Sequence, residues 1–295
     1  MIMKINPMLK KEIMVNVRGI RLTVMMLVFN LVLAIIGLVV FYYILETARW
    51  SGSIDYSSTI MLYTVLMVIQ FLLLAFMVPA LTAGAISGER ERQTLDILLA
   101  STLTPGKIVF GKLSSSILSV ILMIISSIPI MSLIFIFGGI EIWDLFANVI
   151  FLIYIALFAG SIGIYCSARF KKTTGATAAA YGFVLFLGFG TVILTILLAF
   201  IYSFTGNGGK DVIKWIVMLI LLFNPGATLV EIIGAQLGEG SLMENLFYES
   251  GLLGFIAEHW IFFSILFQCI IMVIMMRGAV KRVNPLYQKR SRKKG

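Results

Sequence analysis

Six times along this chain of 295 residues the sequence turns apolar for about the length needed to cross a bilayer. A helix needs about 20 such residues to traverse roughly 30 Å of hydrocarbon. Leu22–Leu45, Ile60–Ala83, Leu113–Phe137, Leu145–Ala168 and Thr174–Ser203 meet that length, and the shorter Trp260–Met276 runs directly into a basic tail. Lipid offers no partner for exposed backbone groups, and nothing alternates with period two as a barrel strand would, so each run is predicted to be a helix. Composition excludes the alternative of a soluble domain. Apolar residues make up 60% and charged residues 13%, against about 45–50% and about 25% in ordinary globular chains. Cys166 and Cys269 both fall inside apolar runs and form no metal-ligand spacing.

Orientation follows from Lys and Arg in the loops. With the N-terminus inside, the cytoplasmic segments hold 20 of the 23 basic residues, leaving only Arg49, Lys210 and Lys214 outside. Both termini are therefore expected in the cytoplasm. These charges are spread over four membrane-flanking segments, so nucleic acid is not an expected partner. Membrane lipid is, because the basic tail over 277–295 would attract anionic headgroups. The first apolar run is too long for a signal peptide and no small-residue cleavage site follows it. Before it, Asn6 and Pro7 read as the start of an interfacial amphipathic helix over 1–21. The stretch 212–254 is apolar but broken by Asn224-Pro225-Gly226, and a crossing there would put the basic C-terminus outside. It reads as an outer re-entrant or interfacial helical hairpin, with Ala227–Leu237 as the returning arm. The expected fold is thus all-α and integral to the membrane: one transmembrane domain over 1–295 with six transmembrane helices.

The loop between the second and third spans reads SGERERQTLDILLASTLTPGKIVFGK over Ser87–Lys112. Ser87 or Gly88 can open a helix whose first turn holds Glu89 and Glu91, where the helix dipole favours anions. Leu95, Leu98, Leu99 and Leu103 then make one apolar stripe. Thr104 and Pro105 end that helix and start the next. An amphipathic helix is expected over 87–104. Its pattern fits either a helix resting on lipid or one docking on a cytoplasmic protein.

That run, with Thr102-Leu103-Thr104-Pro105 and Gly111-Lys112-Leu113, resembles the hallmark of ABC-2 type permeases, a "GERE-x-x-TL-x-x-LL" stretch followed by "TPL/TLT…GK". The opening Asn6-Pro7-Met8-Leu9-Lys10-Lys11-Glu12 is also similar to many such permeases. The resemblance implies that 87–104 is a coupling helix contacting an ATPase. Glu89, Arg90, Glu91 and Arg92 would then make polar contacts, and Leu95, Leu98 and Leu99 would seat the helix. It further implies the permease subunit of an ABC exporter in the cytoplasmic membrane of a prokaryote, a multi-pass protein moving its substrate by alternating access. Its partners would be two copies of an ATP-binding subunit, which carry the ATP and Mg²⁺, and a second permease, identical or homologous. The chain itself is expected to bind no cofactor and to be no enzyme. Gly106–Leu113 has the glycine and lysine spacing of a phosphate loop, but Leu113 stands where Ser or Thr must hold magnesium, and no strand precedes it.

Asn30, Gln70 and Gln268 are polar groups within spans, suited to lining a substrate path or to hydrogen bonding between helices. Gly160 and Gly163, at a spacing that admits close helix contact, suit packing within one subunit or at a dimer face. A membrane-embedded enzyme needs paired carboxylates, histidines or a metal cluster at membrane depth; the spans carry almost no ionisable groups. A non-transporting scaffold or sensor is the other alternative. No residue selects a substrate.

Overall fold

The computed structural model describes residues 19–52, 56–100, 104–136, 140–204, 207–238, 240–247 and 251–284. The expected interfacial helix over 1–21 and basic tail over 277–295 lie largely outside the described residues. Among the described residues there is no strand. Among these residues six helices are long and apolar enough to cross a membrane: Ile20–Ser51, Tyr56–Thr82, Pro105–Ser132, Ile142–Arg169, Thr173–Phe204 and Trp260–Val283. They are called here the first to sixth spans.

Most spans outrun the apolar runs that announce them, because their polar ends are also helix formers. The fourth span begins at Ile142 on a capping box. The Glu141 carboxylate accepts from the backbone of Asp144, which also donates to Glu141 O at 3.1 Å, and the Asp144 carboxylate accepts from Glu141 N at 3.0 Å. The third span starts at Pro105, whose fixed φ suits the first helical position. The fifth is interrupted by a π-helical turn over Phe186–Gly190.

The chain forms two compact units. One comprises the described residues up to Ala180 together with those from Met275 onward; the other is Tyr181–Ile274. In the first unit the second, third and fourth spans pack together most extensively. Gly163 sits so close to the second span that a Cβ there would lie 1.9 Å from Thr82 Oγ1, and one at Gly160 would meet Leu113 and Ile117 at 3.0 Å. These glycines therefore serve packing within the chain. Polar side chains bridge the same bundle. Gln70 Nε2 donates to Ser127 Oγ at 2.6 Å. Asn30 Nδ2 donates to Ser126 Oγ at 2.8 Å and to Met26 O at 2.9 Å.

In the second unit, helices Asn207–Leu222 and Pro225–Gln236 meet at 89° across Asn224. The first arm begins five residues earlier than the 212 expected, because Lys210, Asp211 and Lys214 are accommodated in a helix. The arms form a right angle instead of doubling back. Asn224 fixes the corner: its Oδ1 accepts from Gly226 N at 2.7 Å, while its Nδ2 donates to Thr191 Oγ1 at 2.8 Å and to Gly188 O at 3.1 Å. A π turn disturbs the regular i→i−4 ladder, and Asn224 engages that site in the fifth span. Gln268 of the sixth span donates to Thr228 Oγ1 at 2.9 Å and to Leu222 O at 3.3 Å.

Candidate coupling site

The loop between the second and third spans holds two short helices, Ser87–Glu91 and Leu95–Ala100, where one helix over 87–104 was expected; 101–103 lie outside the described residues. The break is a Schellman closure. Gln93 adopts φ 58°, so its N–H bonds back to Arg90 O at 3.2 Å and Thr94 N–H bonds to Glu89 O at 2.9 Å. Glycine is the usual residue there because it enters the left-handed region without strain. Gln gives no such signal in the sequence, which hid the break. Thr94 then starts the second helix, its carbonyl accepting from Leu98 N at 3.1 Å.

The start of the first short helix is held by the fourth span. Ser167 Oγ accepts from Ile86 N at 2.8 Å and from Ser87 N at 2.9 Å. All three residues are buried, so these bonds satisfy donors that water cannot reach. Ser167 carried no signal in the sequence, being one small polar residue in an apolar run.

Of the four charged residues expected to face a partner, three are engaged on the chain itself. Glu89 accepts from Lys112 Nζ of the third span at 2.9 Å, and from Thr94 Oγ1. Glu89 lies beyond Thr82, where the second-span helix ends. Burial alone would raise its carboxyl, but hydrogen bonds from Thr94 and Lys112 and the charges of Lys112 and Arg92 outweigh it and hold the group below the usual carboxylate range. Arg90 Nη1 donates to Phe170 O at 2.8 Å and Nη2 to Ala168 O at 3.3 Å, at the C-terminus of the fourth span. Glu91 accepts from Thr173 N at 3.0 Å and from Thr173 Oγ1 at 2.9 Å, at the N-terminus of the fifth. A cation thus meets exposed carbonyls and an anion meets exposed amides, each with the sign the helix dipole favours. The loop's charged run is bonded to the second turn of the third span, the end of the fourth and the start of the fifth.

The second short helix divides as its periodicity predicts. Leu95 is buried and Leu98 and Leu99 are half-buried, while Arg92, Gln93 and Asp96 are exposed and Ile97 is 73% exposed. Ile97 was not singled out by the leucine stripe; its position between Asp96 and Leu98 puts it on the opposite face. The segment Gly106–Leu113 is helical throughout, so it is no loop that could wrap a phosphate, and Lys112 is committed to Glu89.

Asn30, Gln70 and Gln268, the polar residues read within spans, all hydrogen bond to neighbouring helices. Two keep an unused acceptor: Asn30 Oδ1 and Gln70 Oε1 are buried with no hydrogen-bond partner among the described residues.

Six long apolar helices among the described residues, with a loop bonded to three of them, define a multi-pass membrane protein. Residues 7–280 match the family model described as ABC-2 family transporter protein, and the chain belongs to that family. Among curated proteins no match was found.

Proposed function

We propose that this chain is the permease subunit of an ABC exporter, driven by a separate ATP-binding subunit that docks on the connector over 87–104. Membership of the ABC-2 transporter family supports a transmembrane component with its ATPase on another chain. The observation that carries the reading is the division of the connector. Glu89, Arg90 and Glu91 are bonded to the chain, Leu95 is buried and Leu98 and Leu99 are half-buried, while Arg92, Gln93, Asp96 and Ile97 face outward. That outward face is the proposed ATPase contact, with Leu95, Leu98 and Leu99 seating the helix and Glu89, Arg90 and Glu91 holding it in place. The assembly would comprise two ATPase subunits, carrying ATP and Mg²⁺, and two permeases, identical or homologous. The basic-residue bias supports both termini lying in the cytoplasm, and a prokaryotic cytoplasmic membrane is proposed from the family resemblance. The unused oxygens of Asn30 and Gln70 are offered as polar points along the substrate path.

The test is to look for an adjacent reading frame that encodes an ATP-binding protein and to co-express it with the permease. The two should purify together, and ATP turnover should rise on reconstitution with the permease. A permease that purifies alone and leaves turnover of that ATPase unchanged would refute the proposal.

A further inference from the structure

We infer that Arg90 and Glu91 are positioning residues that make the connector and the adjoining ends of the fourth and fifth spans move as one body. This inference rests on the connector being the ATPase contact. It concerns what happens beyond that contact, where motion must pass from a five-residue helix into the membrane.

A helix as short as Ser87–Glu91 has too few internal hydrogen bonds to be rigid by itself. Its rigidity must come from outside, and the bonds described above supply it from three directions. Ser167 satisfies its first two amides. Glu89 reaches Lys112, two turns into the third span. Arg90 closes the last carbonyls of the fourth span, and Glu91 caps the first amide of the fifth. Between Arg169 and Thr173 the chain has only a short turn. Arg90 and Glu91 therefore grip both sides of that turn from neighbouring positions in the sequence.

The consecutive order of these residues has a mechanical meaning. Adjacent side chains on a helix diverge by about 100°, so Arg90 and Glu91 can hold two different span ends only if those ends flank the short helix. A push on the outward face at Ile97 then cannot displace the connector without carrying both ends along. Glu89 and Lys112 add the third span by an ion pair that the Thr94 hydroxyl also steadies. With the clamp intact, the connector and the start of the fifth span are one rigid element. With Glu91 removed, the first turn of the fifth span loses its cap and its tether together.

The test uses the full complex of the permease with its ATPase in lipid nanodiscs, with Cys166→Ala and Cys269→Ser as background. Spin labels at Ala100→Cys and Lys172→Cys, both exposed positions, report the distance between connector and fifth span. It is measured nucleotide-free and after vanadate trapping. In the otherwise native chain the distance should agree between the two states within about 2 Å, the scale of small helix shifts, whereas in Glu91→Ala it should change on trapping by about 5 Å, the scale of a one-turn slip. ATP turnover should persist in the variant, since the outward face is untouched. A purely structural role would lower thermal stability while leaving the distance the same in both states. A change of about 5 Å in the native clamp, or an unchanged distance in Glu91→Ala, would overturn the inference. Should Glu91→Ala fail to assemble, Glu91→Met, which keeps the length of the side chain and loses the carboxylate acceptor, is read in the same way. Loss of ATPase binding altogether in Glu91→Ala would show that Glu91 belongs to the docking contact itself and would overturn its assignment as a positioning residue.

Discussion

Replacing Ser167 by alanine removes one oxygen from the fourth span and should loosen a helix 80 residues away in sequence. Ser167 Oγ is the acceptor for the amides of Ile86 and Ser87. Both amides are at the start of a short helix and so have no partner inside it. Burial of all three residues keeps water from replacing the lost oxygen. Each buried donor left unsatisfied costs about 1–3 kcal/mol, so the pair should cost roughly 2–5 kcal/mol after partial relaxation. A tenfold change in an opening equilibrium corresponds to about 1.4 kcal/mol. Hydrogen–deuterium exchange over residues 84–92 should therefore quicken by at least about 30-fold in Ser167→Ala. The six spans should keep their protection, and Ser167→Thr, which retains a hydroxyl, should stay near wild type. Exchange in Ser167→Ala within about threefold of wild type would show that the fourth span does not hold this helix, and the reasoning would fail.

Three further outcomes follow from particular contacts. Gly163→Ala forces a methyl against Thr82 Oγ1 and should lower stability by about 1–3 kcal/mol, read as a fall in melting temperature in detergent; Thr82→Ala in the same chain should recover part of it. Because the Glu89 carboxyl is held below its usual range, the stability it contributes is present at neutral pH and is lost as pH falls through that lowered value. Glu89→Gln should flatten this acid limb of the melting temperature, and an unchanged limb would contradict the ion pair with Lys112. Asn224→Ala removes the cap on Gly226 and both bonds to the fifth span. It should cost about 1 kcal/mol or more and speed hydrogen exchange over Phe186–Thr191 while leaving the first unit protected.

The spans were legible because a bilayer imposes one requirement, about 20 apolar residues per crossing, and the chain meets it six times. Most of their ends were not, since Glu141 and Arg169 extend helices by capping and dipole interactions that hydropathy does not register; the start of the third span was, from Thr104 and Pro105. The leucine stripe was legible, but its periodicity left open what it packs on. Glu89, Arg90 and Glu91 look like a charged tip in one dimension, yet each is bonded to a residue in or beside another span, from 23 to 82 residues distant. Such pairings leave no trace in local periodicity. The broken helix at Gln93 was hidden for a different reason: a left-handed residue other than glycine or asparagine is rare enough that sequence rules assign it to the helix. Ser167 and Thr173 were invisible as partners because a single hydroxyl in a transmembrane run usually bonds its own helix.

The most direct test of the central claim is a photocrosslinking amino acid at Ile97, the most exposed large apolar residue among the described residues of the connector, in cells expressing the permease with its proposed ATP-binding partner. The same probe at Phe200, exposed on the fifth span, serves as the comparison. Ile97 should give a crosslinked product containing the ATP-binding protein, and Phe200 should not. Crosslinking of both positions to lipid alone, with the ATPase present and active, would contradict the reading of this connector as the place where the membrane protein meets its motor.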